Sequence, residues 1–256
     1  MTAVTALLPI LFLCVAWLYA MAGFGGGSTY IALLAISGLP LTAIPIVALS
    51  CNLIVSTQGS ILLTKRGFAQ WRILRPLLVA SIPCAFIGGA WGLPESAFLV
   101  LLAVALTLAG AAMILQNVMA KEDAETSKIP NVGVLMGTGV LLGLLAGMTG
   151  IGGGIYLAPI MHLCRWGRAQ SIATCTSLFI ALNSLAGLLG QLTKGERLLE
   201  SLPLVVVIAC PIAVLIGGRL GTYLLTDKLP RSRVRMITAL VILLVACRLW
   251  LKVLLA

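Results

Sequence analysis

The sequence predicts an all-α polytopic membrane protein, and three observations support this fold class. Of the 256 residues, 61% are hydrophobic and only 9% are charged, and the mean hydropathy is +1.14. Apolar runs close to the ~20 residues that cross a bilayer recur along the whole chain, with most charges between them. The runs do not alternate apolar and polar residues over segments of about ten, which disfavours an outer-membrane barrel.

An internal repeat organises these runs. A shift of 127 residues places residues 25–27, all glycine, on residues 152–154, also glycine, and places Ser50 on Ser177. Each half then divides into five apolar segments, and the segment that follows each glycine run is short. The expected segments are 2–22, 25–37, 42–64, 72–93 and 96–119, then 131–149, 152–164, 169–192, 201–225 and 233–255. We therefore expect two five-segment repeats, 1–119 and 131–256, with a linker at 120–130 and about eight to ten transmembrane helices, two of them short or re-entrant.

The positions of the basic residues predict how the repeats are oriented. If every segment changes sides, thirteen of the 17 Lys and Arg residues lie on one face, and the other face has Lys194, Arg197, Arg248 and Lys252. If the short segments do not cross, this asymmetry disappears. The positive-inside rule favours the first arrangement, which makes the repeats inverted, the linker cytoplasmic and both termini external in a bacterial inner membrane. The same rule accounts for the net charge of +10, so no nucleic-acid partner is expected.

The two glycine runs are candidate binding elements. We name residues 25–27 the first glycine run and residues 152–154 the second glycine run. Neither has the strand or lysine context of a nucleotide-binding loop. A helix that starts after such a run exposes unpaired N–H groups at the positive end of its dipole, which favours an anion. The alternative is that these glycines only allow helices to pack closely.

Polar side chains on the following helices extend this candidate site. Ser50, Thr57 and Thr64 are spaced by seven residues in the first half, as are Ser177, Ser184 and Gln191 in the second, so each set forms one stripe on a helix. The candidate substrate-binding residues are Gly25, Gly26, Gly27, Ser28, Ser50, Asn52, Gly152, Gly153, Gly154, Cys175, Thr176, Ser177 and Asn183. The alternative is that the hydroxyls bond to their own helix or to a neighbouring one.

Charged and metal-binding groups are sparse in the predicted membrane segments. All seven acidic residues fall at predicted helix ends or in loops, whereas a cation path would ordinarily place a carboxylate inside the membrane. The seven cysteines are scattered and contain no C-x-x-C pair. We therefore expect no metal site, no catalytic residues and no cofactor.

Two motifs resemble a known family. The sequence "GIGGGIYLAPIM" followed by "RAQSIATCTSLFIALNSLAG" is similar to the signature of the TauE/SafE sulfite exporter family, and "GFGGGSTYIALL" with "AIPIVALSCNLIVST" resembles its degenerate partner. The resemblance covers essentially the whole chain and implies transport of small sulfur-containing anions. It places motif positions at the two glycine runs, Pro159, Thr176, Ser177 and Ser50. Cys175 stands where the motif commonly has glycine, either to tune specificity or as a small packed residue.

These observations predict a permease for a small anion, such as sulfite, thiosulfate or an organosulfonate-related compound. Inverted-repeat transporters bind substrate near the bilayer midplane, where the repeats meet, and work by alternating access. Its partners would be the anion and the lipid bilayer, and the sequence leaves a homo-oligomer open. Two other classes stay open at this stage: an intramembrane enzyme, which the scarcity of acid and base residues disfavours, and a non-transporting membrane subunit.

Overall fold

The computed structural model describes residues 3–21, 24–40, 43–91, 94–119, 130–164, 166–167, 169–194 and 203–224, and residues 236, 240, 243–244, 246–247, 249–251 and 253–254. Its helices are α1 (Ala3–Met21), α2 (Gly27–Ile36), α3 (Ile44–Lys65), α4 (Trp71–Ala90), α5 (Glu95–Met119), α6 (Val132–Thr149), α7 (Gly154–Leu163), α8 (Ala169–Leu192) and α9 (Cys210–Leu224). A π-helical turn, Val205–Ala209, runs directly into α9. The described residues contain no strand, which confirms the all-α fold class; the linker, apart from Pro130, lies outside them.

Five helical stretches are long and apolar enough to cross a membrane. They are Ile44–Lys65, Trp71–Ala90, Val132–Thr149, Gln170–Leu192 and Val205–Tyr223. Large apolar side chains such as Val79 and Tyr223 are exposed on the outside of the bundle, as expected for surfaces that face lipid. The protein is therefore built to sit in a bilayer with several crossings.

The two helices that follow the glycine runs are short. α2 and α7 have 10 residues each, so each extends about 15 Å at 1.5 Å per residue. This is about half of the ~30 Å hydrocarbon thickness. Each of these two helices therefore either begins or ends near the middle of the bundle.

α3 and α8 form the centre of the bundle and pack along each other. They have the largest buried share among the five candidate spans, 61% and 67%. They also contain many of the buried polar side chains, including Asn52 on α3 and Thr176, Ser177, Asn183 and Ser184 on α8. Polar groups that would be costly to place against lipid are thus gathered at the central seam.

The outer helices pair across the two halves of the sequence. α1 packs along α9, and α6, the equivalent of α1 after the shift of 127 residues, packs along α4. Glycines make both pairings close. A Cβ added at Gly143 or Gly147 of α6 would overlap the backbone of α4, and one added at Gly217 or Gly221 of α9 would overlap the backbone of α1. Helices in membranes commonly approach each other through small residues in this way.

Candidate functional site

The first glycine run forms the turn from which α2 starts. Gly26 has φ +90° and is the N-cap of α2, a backbone conformation that favours glycine. Its carbonyl oxygen accepts hydrogen bonds from the N–H groups of Thr29 at 3.0 Å and Tyr30 at 3.1 Å. The N–H of Ser28 is in the first turn, where a helix offers no acceptor of its own. The turn therefore presents backbone donors at the positive end of the α2 dipole.

The second glycine run repeats this turn before α7. Gly153 has φ +73°, and its carbonyl oxygen accepts hydrogen bonds from the N–H groups of Tyr156 and Leu157, both at 3.2 Å. Gly26 and Gly153 are equivalent positions of the internal repeat. The sequence similarity of the two runs thus corresponds to a shared backbone geometry.

Asn52 joins the two turns. Its Oδ1 accepts the N–H of Gly27 at 3.1 Å, and its Nδ2 donates to the carbonyl oxygen of Ile151 at 2.8 Å. The side chain is only 1% exposed. A Cβ added at Gly25 or Gly152 would overlap the Asn52 amide, so both runs need glycine to approach it. The two turns therefore meet at one amide in the central part of α3.

A pocket opens at the first turn. It is small, with a cavity volume of about 20 Å³, and none of the described residues that line it is charged. The lining residues are Tyr19, Phe24, Gly25, Gly26, Gly27, Ser28, Asn52, Ile151, Ile155 and Ile180. Ser28 is 1% exposed, and its hydroxyl has no hydrogen-bond partner. The pocket lining thus combines polar groups of the glycine backbone, Ser28 and Asn52 with apolar side chains of isoleucine and phenylalanine.

The second turn is packed rather than open. A Cβ at Gly154 would overlap Ile180, and one at Gly153 would lie 2.9 Å from Cε1 of Phe179. Polar atoms lie nearby without partners: the Ser184 hydroxyl, 2.8 Å from the position of a Cβ on Gly152, and the Thr176 hydroxyl. The second turn repeats the backbone hydrogen bonds of the first, and the hydrophobic α8 side chains Phe179 and Ile180 lie against it.

The remaining predicted site residues lie along the helices, away from the pocket lining. The Ser50 hydroxyl donates to the carbonyl oxygen of Ile46 at 2.8 Å, and Asn183 Nδ2 donates to that of Phe179 at 2.8 Å, both within one helix. Cys175 is fully buried. Ser177 lies at the seam between α3 and α8, with Oγ 3.4 Å from the position of a Cβ on Gly59.

Several pocket residues were not among the predicted ones. Tyr19, Phe24, Ile151 and Ile155 lie within eight residues of a glycine run, so proximity in sequence could have indicated them. Ile180 had no such signal, since it is an ordinary apolar residue of α8. The described residues contain no group of three or more His, Cys, Asp or Glu side chains that could hold a metal ion.

Comparison with known proteins identifies the family. A family model described as Sulfite exporter TauE/SafE matches residues 8–249. The chain belongs to the TauE/SafE sulfite exporter family. A relative, the probable membrane transporter protein y4hK of Sinorhizobium fredii, is 32% identical over 238 residues, which cover 92% of this chain and 94% of the relative. No solved structure matches the chain significantly. The predicted family is therefore confirmed, and this TauE/SafE protein is a multi-pass membrane transporter.

Proposed function

We propose that this protein is a non-enzymatic secondary carrier for a small sulfur-containing anion, such as sulfite, thiosulfate or a short organosulfonate. The anion binds at the first glycine run and is carried by alternating access across the bacterial inner membrane. The family and the name of the Sinorhizobium relative support transport, and the pocket supports an anion. The repeats are inverted and both termini are external in this proposal, which rests on the distribution of basic residues.

The observation that carries the proposal is a pocket that offers hydrogen-bond donors to an anion but is lined by no lysine or arginine among the described residues. Ser28 lines this pocket, and it offers both its backbone N–H, which has no acceptor within the first turn of α2, and its unpartnered hydroxyl. The helix terminus is equivalent to roughly half a positive charge. In a low-dielectric interior this partial charge acts more strongly than it would in water. Such a site binds an anion without a lysine or arginine, whose strong attraction would slow release.

The depth of the site supports alternating access. Asn52 is eight residues from the start of the 22-residue α3, and the short α2 meets it there. A binding site near the midplane connects to both sides in turn only if the surrounding helices rearrange. The closely packed second turn corresponds to a path that is closed in this conformation.

Proteoliposomes test this function directly. We expect the purified protein to accelerate the flux of radiolabelled sulfite, thiosulfate, sulfate or methanesulfonate down a concentration gradient, compared with empty liposomes. A substrate that binds only the folded protein should also raise its unfolding temperature. If none of the four anions is transported and none stabilises the protein, the proposed substrate class is wrong.

Two serine variants test the location of the site. Ser28→Ala removes the unpartnered hydroxyl at the pocket, whereas Ser81→Ala removes an equally buried and unpartnered hydroxyl on α4, outside the pocket lining. A hydrogen bond to a charged group contributes about 1.5–3 kcal/mol, so Ser28→Ala should weaken binding about ten- to hundredfold. Ser81→Ala should leave binding unchanged. Equal behaviour of the two variants would contradict the assignment of the pocket.

A further inference from the structure

The pocket is lined by residues from equivalent positions of the internal repeat. Phe24 and Ile151 are 127 residues apart, as are Ser28 and Ile155, and all four line the pocket. Ser28 directly follows the first glycine run, and Ile155 directly follows the second. Both glycine turns therefore contribute to the pocket, each through the residues on either side of its glycine run.

Ser28 and Ile155 bring different chemistry to these equivalent positions. Ser28 is buried and its hydroxyl has no hydrogen-bond partner, so the hydroxyl is available to a bound anion. Ile155 is also buried and has no polar atom in its side chain. Ile151 and Ile180 add further apolar surface to the lining. Of the two equivalent positions, only the one in the first half thus carries a side chain that can donate a hydrogen bond.

The isoleucines of the lining lie close to its polar groups. A Cβ added at Gly25 would lie 3.1 Å from Ile180 Cγ2, and one added at Gly152 would lie 3.2 Å from the same atom, so Ile180 reaches both turns. The cavity volume of about 20 Å³ is room for about one water molecule. A group bound at the Ser28 hydroxyl therefore also contacts apolar side chains.

An anion of several heavy atoms needs more room than one water, and the isoleucine side chains can provide it. The Gly27 N–H and the Ile151 carbonyl oxygen are held by hydrogen bonds to Asn52, so moving either backbone group would break a bond. An isoleucine side chain can change rotamer without breaking any hydrogen bond. The enlarged pocket thus keeps apolar side chains against the part of the anion that Ser28 does not hold.

Sulfur anions differ in how well they tolerate such a surface. An anionic oxygen that leaves water and meets only isoleucine loses its hydrogen bonds without replacement. Sulfate has oxygens in all four tetrahedral directions, so one of them faces the apolar side chains when the others are bound. In thiosulfate a sulfur atom, which is a weaker acceptor, replaces one oxygen. Sulfite has no fourth substituent, and methanesulfonate has a methyl group there. The lining therefore favours these three anions over sulfate.

We propose that Ile155 determines specificity at this pocket, and that it selects sulfur anions with no fourth oxygen over sulfate. This inference rests on the proposed function, because it narrows the substrate class of the same site. The ratio of thiosulfate affinity to sulfate affinity measures the selectivity. These two anions have the same charge and the same tetrahedral shape, and they differ in one atom.

Thermal-shift titrations of the purified wild-type protein with thiosulfate and with sulfate measure this ratio. We expect thiosulfate to bind at least about tenfold more tightly, since one anionic oxygen of sulfate stays unpaired. Equal affinities would overturn the inference and leave the proposed function standing. If neither these two anions nor sulfite or methanesulfonate stabilises the protein or crosses proteoliposomes, the proposed function fails, and the inference fails with it.

Ile155→Thr and Ile155→Val are the matched variants, because their new side chains have the same shape and differ in a hydroxyl against a methyl group. The Ser28 hydroxyl at the equivalent position has no partner, so we expect a hydroxyl at position 155 to be equally free to bind an anion. Ile155→Thr should bind sulfate about tenfold more tightly than Ile155→Val does. Its preference for thiosulfate should be smaller by a similar factor.

Ile160→Thr is the control for a hydroxyl on the same helix but outside the pocket. Ile160 is partly buried in α7 and does not line the pocket. Its ratio of thiosulfate to sulfate affinity should equal that of the wild-type protein. The inference is wrong if the two Ile155 variants have the same ratio, or if Ile160→Thr changes the ratio as much as Ile155→Thr does. The wild-type titrations test the inference even where a variant does not fold.

Discussion

The turns before α2 and α7 share their backbone geometry but differ in what faces them. Gly26 and Gly153 both have positive φ, and the carbonyl oxygen of each accepts two N–H groups of the next helix. The first turn faces Asn52 and a pocket. The second also contacts Asn52, and in addition Phe179, the repeat equivalent of Asn52, and Ile180 pack against it. The duplicated backbone turn therefore has different side-chain surroundings in the two halves.

The largest expected effect comes from filling the space between the two turns. Gly27→Val would place a Cβ 2.6 Å from the Ile151 carbonyl oxygen and 2.5 Å from Asn52 Nδ2, which forces the turns apart. Displacements of about 1 Å near a reacting or binding group can cost about a hundredfold in rate. We therefore expect flux to fall by about that factor in proteoliposomes that contain equal amounts of protein.

Gly137→Ala is the control for this variant. Gly137 lies in α6, and a Cβ added there meets no atom within 4 Å. Flux should stay at the wild-type level. If Gly27→Val also retains flux, the contact between the two turns is not needed for transport.

Asn52→Ala should have the next largest effect on flux, because it removes the two hydrogen bonds by which the Asn52 amide joins the turns. Both the Gly27 N–H and the Ile151 carbonyl group would lose their partner, and each buried unpaired group costs about 1–3 kcal/mol. We expect a lower unfolding temperature together with reduced flux. Asn183→Ala is the matched comparison, since Asn183 Nδ2 bonds only within its own helix, and it should cost less stability. An equal loss of stability and flux in both variants would show that the hydrogen bonds of Asn52 to the two turns have no special role.

The sequence was sufficient to predict helices such as α4 and α7 and the two turns, but not the contact between the turns; most of the expected segment 233–255 lies outside the described residues. Expected segments such as 72–93 and 152–164 differ by only a few residues from α4 and α7, because hydropathy and glycine act locally. The bond from Asn52 to Ile151 joins residues 99 positions apart, and it depends on how α3 and the second turn are aligned in space. Neither the periodicity nor the composition of the sequence indicates that alignment. For the same reason, the sequence does not indicate that Ile180 lines the pocket.

Ser50→Ala should have the smallest effect. This variant tests whether a residue at a motif position must also belong to the binding site. It is the repeat equivalent of Ser177 and belongs to the family motif, yet its hydroxyl donates to Ile46 in its own helix and does not line the pocket. Serine hydroxyls that bond to the carbonyl four residues earlier contribute little to helix stability. We therefore expect Ser50→Ala to change anion affinity by less than about twofold, compared with at least about tenfold for Ser28→Ala. Thermal-shift titrations with sulfite on both variants measure this difference. If Ser50→Ala loses as much affinity as Ser28→Ala, the Ser50 hydroxyl contributes to binding, and the binding site must extend along α3.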